Sequence, residues 1–437
     1  MVKPCVLSAM PEGRGFLAGQ KHNWYRSSLN SMEGVLLQVT YGKGSLLFRI
    51  FIQSYWRFVR LVFCAFFRTK GTLGELSVRR VLLLCGIVPL LFLSQTVHWI
   101  CFFLDELLFP GYRNVQVKEP LFVVGVPRSG TTYFHRLLSG DQGRFTTMTL
   151  GEIYLAPSII QRRFFRGLGR VDAALGGFGR KAVDALDRRF FRKLKNLHPQ
   201  SLFKPDEDEQ VLFPMFCSAS LAILFPFESE MAHLIRFDDD VPPRLRQDIM
   251  WFYEKMVQRH LYVHGAEKCY LSKSPAFSVK LQSIRETFPD AKVVCNVRSP
   301  YECIPSLASL GKFYWDVFGN AMKADQFRDI FMEISHVFYQ VPMNVLPEWP
   351  ESQYAFLLYP DLMAHPKTCI EDIYARFGWS VSPEFEAFLT EQERKQKRYK
   401  SKHVYTMEEQ GVSPAMLLEY MHDVFDFYQF PTDPDAA

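Results

Sequence analysis

Gly125-Val126-Pro127-Arg128-Ser129-Gly130-Thr131-Thr132 is the stretch of this chain whose residue types and spacing most directly imply chemistry. A glycine-rich turn ahead of a helix aims several backbone N–H groups at one point, which holds a phosphate-type anion without a metal. Gly130 lets the backbone approach such a ligand closely, and the Thr131 and Thr132 hydroxyls add donors. The spacing of Gly125 and Gly130 would suit a Walker A loop, but that loop requires lysine where Thr131 stands. The cation sits inside the turn instead, at Arg128, whose planar fork matches a sulfate or phosphate oxygen edge.

A second anion site is implied further on. The apolar run 291–297 ends at Arg298, followed by Ser299, Pro300 and, eight positions after the arginine, Ser306. An arginine at the end of a strand and a serine one to two turns into the next helix can meet on one anion, at the edge where open α/β sheets bind ligands. Taken alone, the pair also reads as a surface arginine before a helix-initiating proline. Taken with the first loop, it implies a ligand with anions at both ends of a nucleoside. 3′-Phosphoadenosine 5′-phosphosulfate (PAPS) meets that requirement.

The elements that must position these residues alternate strand and helix. The apolar run 121–126 reads as a buried parallel strand, with the turn and an amphipathic helix over 131–138 following it. Residues 291–297 and 353–358 read as further strands of this kind. The pattern predicts an α/β catalytic domain over 118–390, a P-loop-like three-layer fold with a parallel sheet flanked by helices, followed by a tail over 391–437. Two segments interrupt it: Arg162-Arg163-Phe164-Phe165-Arg166 and its near repeat Arg188-Arg189-Phe190-Phe191-Arg192, with Lys193 and Lys195 beside the second. A solvated helical face with Phe turned inward is the plain reading, and a surface for anionic lipid or an acidic substrate the sharper one.

Ahead of this domain, residues 1–44 lack the continuous apolar core of a cleavable signal peptide and read as loosely ordered. Residues 45–110 read as membrane-associated helices. Over 45–67 aromatic and aliphatic residues are interrupted by Arg49, Arg57 and Arg60, as in an interfacial helix with arginines reaching to headgroups. The uncharged run 81–104 is long enough to span a bilayer, although Gln95 and His98 suit a segment that enters and leaves on one face. Arg68, Lys70, Arg79 and Arg80 before this run put the N-terminus in the cytosol. A spanning helix would then export the catalytic domain. The lack of Asn-x-Ser/Thr sequons and the scattered cysteines favour the cytosolic face, where PAPS is made.

Bulk composition agrees with a large core and extra apolar surface. Of 437 residues 48% are apolar, 22% are charged and 40 are Phe. A net charge of +5 does not imply nucleic acid, and nine Cys without zinc spacing imply neither a metal site nor a disulfide framework.

The octet, the Arg298 to Ser306 spacing, and the stretch Leu271-Ser272-Lys273-Ser274-Pro275 leading to Phe288-Pro289-Asp290-Ala291 resemble the PAPS-dependent sulfotransferases. Tyrosylprotein sulfotransferases and bacterial-type membrane relatives are the most similar groups, and the resemblance covers about residues 118–380. It implies that Arg128, Ser129, Gly130, Thr131 and Thr132 bind the 5′-phosphosulfate and that Arg298 and Ser306 bind the 3′-phosphate. Lys273 would stabilise charge on the bridging oxygen. Tyr359, in Tyr359-Pro360-Asp361-Leu362, would pack near the nucleotide, and Lys402, His403 and Tyr405 would either fold over it or be solvated. Glu152 is the implied general base, a few residues later than in tyrosylprotein sulfotransferases. Its rival is the cluster Asp206-Glu207-Asp208-Glu209, with His198 upstream. Phe277 stands where many membrane-type relatives carry His.

The implied reaction is sulfuryl transfer from PAPS to an acceptor hydroxyl, lipid-linked or apolar given the membrane segment, with no metal and no nucleic acid. A P-loop kinase or NTPase, or a non-catalytic membrane-bound relative, are the alternatives.

Overall fold

The computed structural model describes residues 6–7, 46–190, 200–227, 236–320, 324–396 and 412–434. Its sheet contains β1 (Val6–Leu7), β2 (Leu121–Gly125), β3 (Phe145–Thr146), β4 (Cys269–Lys273), β5 (Lys292–Val297) and β6 (Tyr354–Leu358). Five strands run parallel in the order β6-β5-β2-β4-β3, and β1 adds an antiparallel edge with Val6 opposite Leu357. Side chains alternate across a strand, so β2 feeds two cores. Phe122 and Val124 join one hydrophobic cluster, and Leu121 and Val123 the other. Both faces are therefore covered, which explains why β2 reads as an unbroken apolar run.

The helices are α1 (Leu46–Phe67), α2 (Val78–Leu108), α3 (Thr131–Leu138), α4 (Leu150–Tyr154), α5 (Ile159–Ala174), α6 (Phe178–Phe190), α7 (Pro243–His264), α8 (Pro300–Val317) and α9 (Ala324–Val345). After β6 come α10 (Tyr359–Ala364), α11 (Pro366–Arg376), α12 (Pro414–Tyr420) and α13 (His422–Tyr428). The stretch read as a tail thus returns to the core, where Tyr428 packs on Tyr339 and Phe356. Residues 8–44 and the tail positions Lys402, His403 and Tyr405 lie outside the described residues, as do His198, Lys193 and Lys195. None of the eight described cysteines is disulfide-bonded.

Helices α1 and α2 are each long and apolar enough to cross a membrane by length and composition. Their packing is one-sided. On α1, Phe48, Ile52, Trp56, Val59, Phe63 and Phe67 recur at helical spacing along an exposed face, while Ile50, Phe58, Leu61 and Ala65 are buried behind them. Two of the three arginines, Arg49 and Arg57, turn inward rather than outward as the sequence implied. Arg49 pairs with Asp248 at 2.6 Å, and Arg57 Nε donates to the Phe216 carbonyl at 2.5 Å. Near the start of α2, Arg80 donates to the carbonyls of Leu224 and Phe318 at 2.9 and 3.3 Å. Near its end, Asp105 pairs with Arg259 at 3.0 Å with both side chains fully buried. Arg80 and Asp105 lie about 37 Å apart along the helix, so α2 is fastened near both of its ends to the body that carries the sheet.

The arm α5–α6 also departs from the plain reading. Phe164 and Phe165 are 64% and 46% exposed, turned outward rather than into a core. Phe277, by contrast, is buried edge-on to Phe122 and Tyr253, so its position serves packing.

Candidate active site

The sheet brings the candidate residues together at one edge. Lys273 ends β4, the anion turn follows β2 and Arg298 follows β5, and these three strands are neighbours. Gly125 closes β2 with φ 128°, and a Cβ there would meet the Asn296 carbonyl oxygen at 2.1 Å. Only glycine allows β2 and β5 to approach so closely. Arg128 takes the left-handed region at φ 78°, a conformation that costs about 1–3 kcal/mol and tends to persist where function requires it. Gly130, at φ 87°, lies against the ring of Tyr359, which a Cβ would strike at 2.7 Å. Thr131 and Thr132 then open α3.

The two anion sites inferred separately from sequence are in contact. Arg128 Nε donates to Ser306 Oγ at 2.9 Å, and Arg298 Nη1 donates to the Arg128 carbonyl at 3.3 Å. The Arg298 guanidinium lies over the Tyr359 ring at 4.0 Å. Glu302, which sequence reasoning missed although it stands one helical turn after Arg298, accepts from Arg298 Nη2 at 2.8 Å. Burial is the largest single influence and works against the arginine's charge, but the Glu302 hydrogen bond and charge, together with Cys303 and Tyr359, outweigh it, so its pKa is raised. Ser129 Oγ, Ser299 Oγ, Arg298 Nε and the Asn296 amide are buried without hydrogen-bond partners. Orphaned polar groups are rare in protein interiors, and their concentration at this edge suits an oxyanion ligand.

Lys273 is 1% exposed, and its Nζ meets Glu207 Oε1 at 3.0 Å. The neighbouring acids have other duties. Asp208 is buried and accepts from the hydroxyls of Tyr253, Tyr270 and Ser272 at 2.5, 2.8 and 2.9 Å, and from the Lys273 amide at 3.1 Å. Burial raises its pKa despite these donors. Glu209 pairs with the buried Lys280 and accepts from Ser218 Oγ at 2.8 Å. Asp206 is buried and accepts from the Glu207 amide at 2.8 Å, so of the four acids only Glu207 combines a 25% exposed side chain with contact to Lys273.

His135, another residue missed from sequence, sits one turn into α3 with Nε2 2.9 Å from Thr147 Oγ1. Burial, aided by the positive charge of Lys273, lowers its pKa to about 3. It is a neutral group at physiological pH.

Glu152 occupies a different setting. It closes a capping box with Thr149 at the start of α4. It also accepts from His264 at 2.6 Å and lies 3.9 Å from Arg162 and 4.0 Å from His260. Burial would raise its pKa, but the Arg162 charge and the His264 hydrogen bond hold it well below the usual carboxylate range. It shares no hydrogen bond or ion pair with Lys273 or Arg128 among the described residues. Donor atoms of Glu152, His260 and His264 lie within 4.8 Å of one another, close enough for a metal ion. The Arg162 guanidinium already compensates that carboxylate, however, and opposes a second cation.

Residues 120–383 match the model of the sulfotransferase family. Omega-hydroxy-beta-dihydromenaquinone-9 sulfotransferases of Mycobacterium bovis and Mycobacterium tuberculosis are each 25% identical over 286 residues. That alignment takes in 63% of this chain and 66% of each relative. Among solved structures, a sulfotransferase from Mycobacterium tuberculosis superposes with TM-score 0.65 at 20% identity, over 88% of this chain and 99% of that one. A sulfotransferase from Mycobacterium avium gives TM-score 0.64 at 16% identity, over 78% and 84%. At these identities the structural likeness is one of fold.

Proposed function

The chain belongs to the sulfotransferase family, and we propose that it moves a sulfuryl group from PAPS to the hydroxyl of an apolar, membrane-resident acceptor. The products would be a sulfate ester and adenosine 3′,5′-bisphosphate. The observation that carries this reading is the Arg128–Ser306 contact, which joins the turn after β2 to the helix after β5 beside Lys273. The orphaned hydroxyls, guanidinium nitrogen and amide at that edge suit a donor with anions at both ends.

In the proposed assignment, Ser129, Gly130, Thr131 and Thr132 hold the 5′-phosphosulfate through backbone amides and hydroxyls. Arg298 and Ser306 hold the 3′-phosphate. Tyr359, stacked under Arg298, packs beside the nucleoside, and Arg128 links the two anion sites. The acceptor oxygen attacks sulfur while the bond from sulfur to the bridging phosphate oxygen breaks, and Lys273 stabilises the negative charge left on that oxygen. Transfer of this loose kind depends chiefly on positioning and on cations near developing charge. We assign the acceptor proton to Glu207 rather than Glu152, because Glu207 already touches Lys273 while Glu152 is held as an anion by a cap, an arginine and a histidine. The curated relatives are named for a hydroxylated menaquinone, which supports an apolar hydroxyl acceptor here as well.

The one-sided packing of α1 and α2 supports a hairpin that lies in one leaflet rather than crossing it. A helix fastened at both ends to the catalytic body keeps that body on a single face, proposed to be the cytosolic one. The test is incubation of the purified chain with PAPS labelled in the sulfuryl group and a membrane lipid extract, with a metal chelator present. Label should pass to an apolar product. Donor binding without any labelled product would reduce the chain to a binding protein.

A further inference from the structure

Arg163, Arg166, Gly167, Arg170, Tyr262 and Val263 line a surface cavity of about 350 Å³ where α5 meets the end of α7. None of the three arginines has an acidic partner among the described residues. Arg163 stacks on Phe109 at 4.3 Å, and Arg166 is oriented by the Val263 carbonyl at 3.2 Å and the His264 ring at 3.0 Å. Among the described residues Arg170 makes no hydrogen bond or ion pair. The acidic residues of the arm are engaged elsewhere: Asp172 accepts from the amides of Gly179 and Arg180 at 2.7 and 2.8 Å, Asp184 pairs with Arg180 at 3.0 Å, and Asp187 accepts from the Leu202 amide at 2.8 Å. The cavity therefore presents uncompensated positive charge suited to an anionic phosphate.

Phe164, Phe165, Leu168 and Val171 stand exposed on another face of the same helix. The surface also continues onto the hairpin. Phe109, under Arg163, directly follows α2, whose last turns expose Leu104, Leu107 and Leu108. Asp105 of α2 accepts from the Ile159 and Ile160 amides at 2.9 and 3.0 Å, so it caps α5 and locks the arm to the hairpin. A fully soluble anion would need no apolar surface on the neighbouring helix ends.

We infer that the base of α5 is a headgroup site for anionic phospholipid, in which Arg163, Arg166 and Arg170 take the lipid phosphate while the aromatic side of the arm enters the bilayer surface beside α2. This inference rests on the proposed membrane docking of the hairpin and extends it with a charge-selective contact. The test is flotation of the full-length chain with vesicles of phosphatidylcholine alone and of phosphatidylcholine mixed with phosphatidylglycerol. The wild type should float with both and prefer the anionic ones, the preference shrinking as salt rises. Each arginine near an anionic surface contributes roughly fivefold, ~1 kcal/mol, to partitioning. Arg163→Gln/Arg170→Gln should thus lose about 25-fold of the anionic preference, with binding to neutral vesicles and to PAPS intact. A double variant that keeps the wild-type preference overturns the site. Release of the wild type from anionic vesicles by soluble glycerol phosphate also overturns it, since the cavity would then be a soluble-anion pocket. Failure of the wild type to float with neutral vesicles would count against the hairpin docking, and the anionic comparison would remain readable.

Discussion

Glu207 and Glu152 are both partly exposed carboxylates facing buried cations, yet their surroundings differ in kind. Glu207 has one strong partner, Lys273, at the C-terminal edge of the sheet beside the anion turn. Glu152 is gripped by its own helix cap, by Arg162 and by two histidines. Under the proposed assignment, a carboxylate beside the cation of the reacting centre is placed to take the acceptor proton, whereas one held by a cap, an arginine and two histidines is committed to the fold.

The largest expected effect tests the first half of that contrast. Glu207→Gln should lower turnover on the order of 10²–10⁴-fold, the range for a general base, while PAPS affinity is retained. Single-turnover kinetics with donor affinity measured in parallel would check this. If Glu207→Gln turns over normally and Glu152→Gln collapses, the contrast is inverted.

A smaller effect belongs to the donor edge. Arg298→Ala removes a charged hydrogen-bond partner, so it should weaken PAPS by about 1.5–3 kcal/mol. It should scarcely change affinity for the analogue lacking the 3′-phosphate. Calorimetry on both ligands gives the ratio, and an unchanged ratio removes Arg298 from the 3′-phosphate site.

The smallest effect on turnover should come from Glu152→Gln, which instead alters stability against acid. The folded-state pKa of Glu152 is depressed, so its ionised form stabilises the fold above the unfolded value of about 4.3, and that contribution is lost as pH falls further. His135 acts in an overlapping window. Its folded value of about 3 lies under an unfolded value of about 6.5, so stability from the neutral ring falls away between the two as pH drops. Urea unfolding across pH should show the Glu152→Gln variant less stable near neutrality, with a shallower loss below about pH 4.3. An unchanged acid slope would mean that the Arg162 and histidine contacts do not hold the carboxylate ionised.

Much of the donor edge was legible because its logic is local. The strand over 121–125, the turn and the helix over 131–138 depend on neighbouring residues, and the glycine and hydroxyl positions follow from backbone geometry within one octet. The strands over 292–297 and 354–358 were legible for the same reason, as apolar runs covered on both faces. The strand Cys269–Lys273 was not, since Ser272 and Lys273 interrupt its apolar character and are buried only because Asp208 and Glu207 meet them from another segment. Arg49 and Arg57 of α1 were misread because a charged residue on an apolar helix has the same sequence signature whether it reaches for lipid or for a buried partner. Asp248 and the Phe216 carbonyl, far away in the chain, decide the matter.

The sequence by itself determined an α/β fold with a strand-turn-helix unit over 121–138, an arginine at the end of a later strand and an apolar N-terminal segment, since these rest on periodicity and on spacings of a few residues. Only the tertiary structure decided that Arg128 reaches Ser306, that Glu207 and not Glu152 stands on Lys273, and that α2 is fastened near both of its ends to the catalytic body. Each of these depends on strand order and on side-chain direction between elements distant in sequence, where a single turn of helix or one step of register would have chosen a different partner.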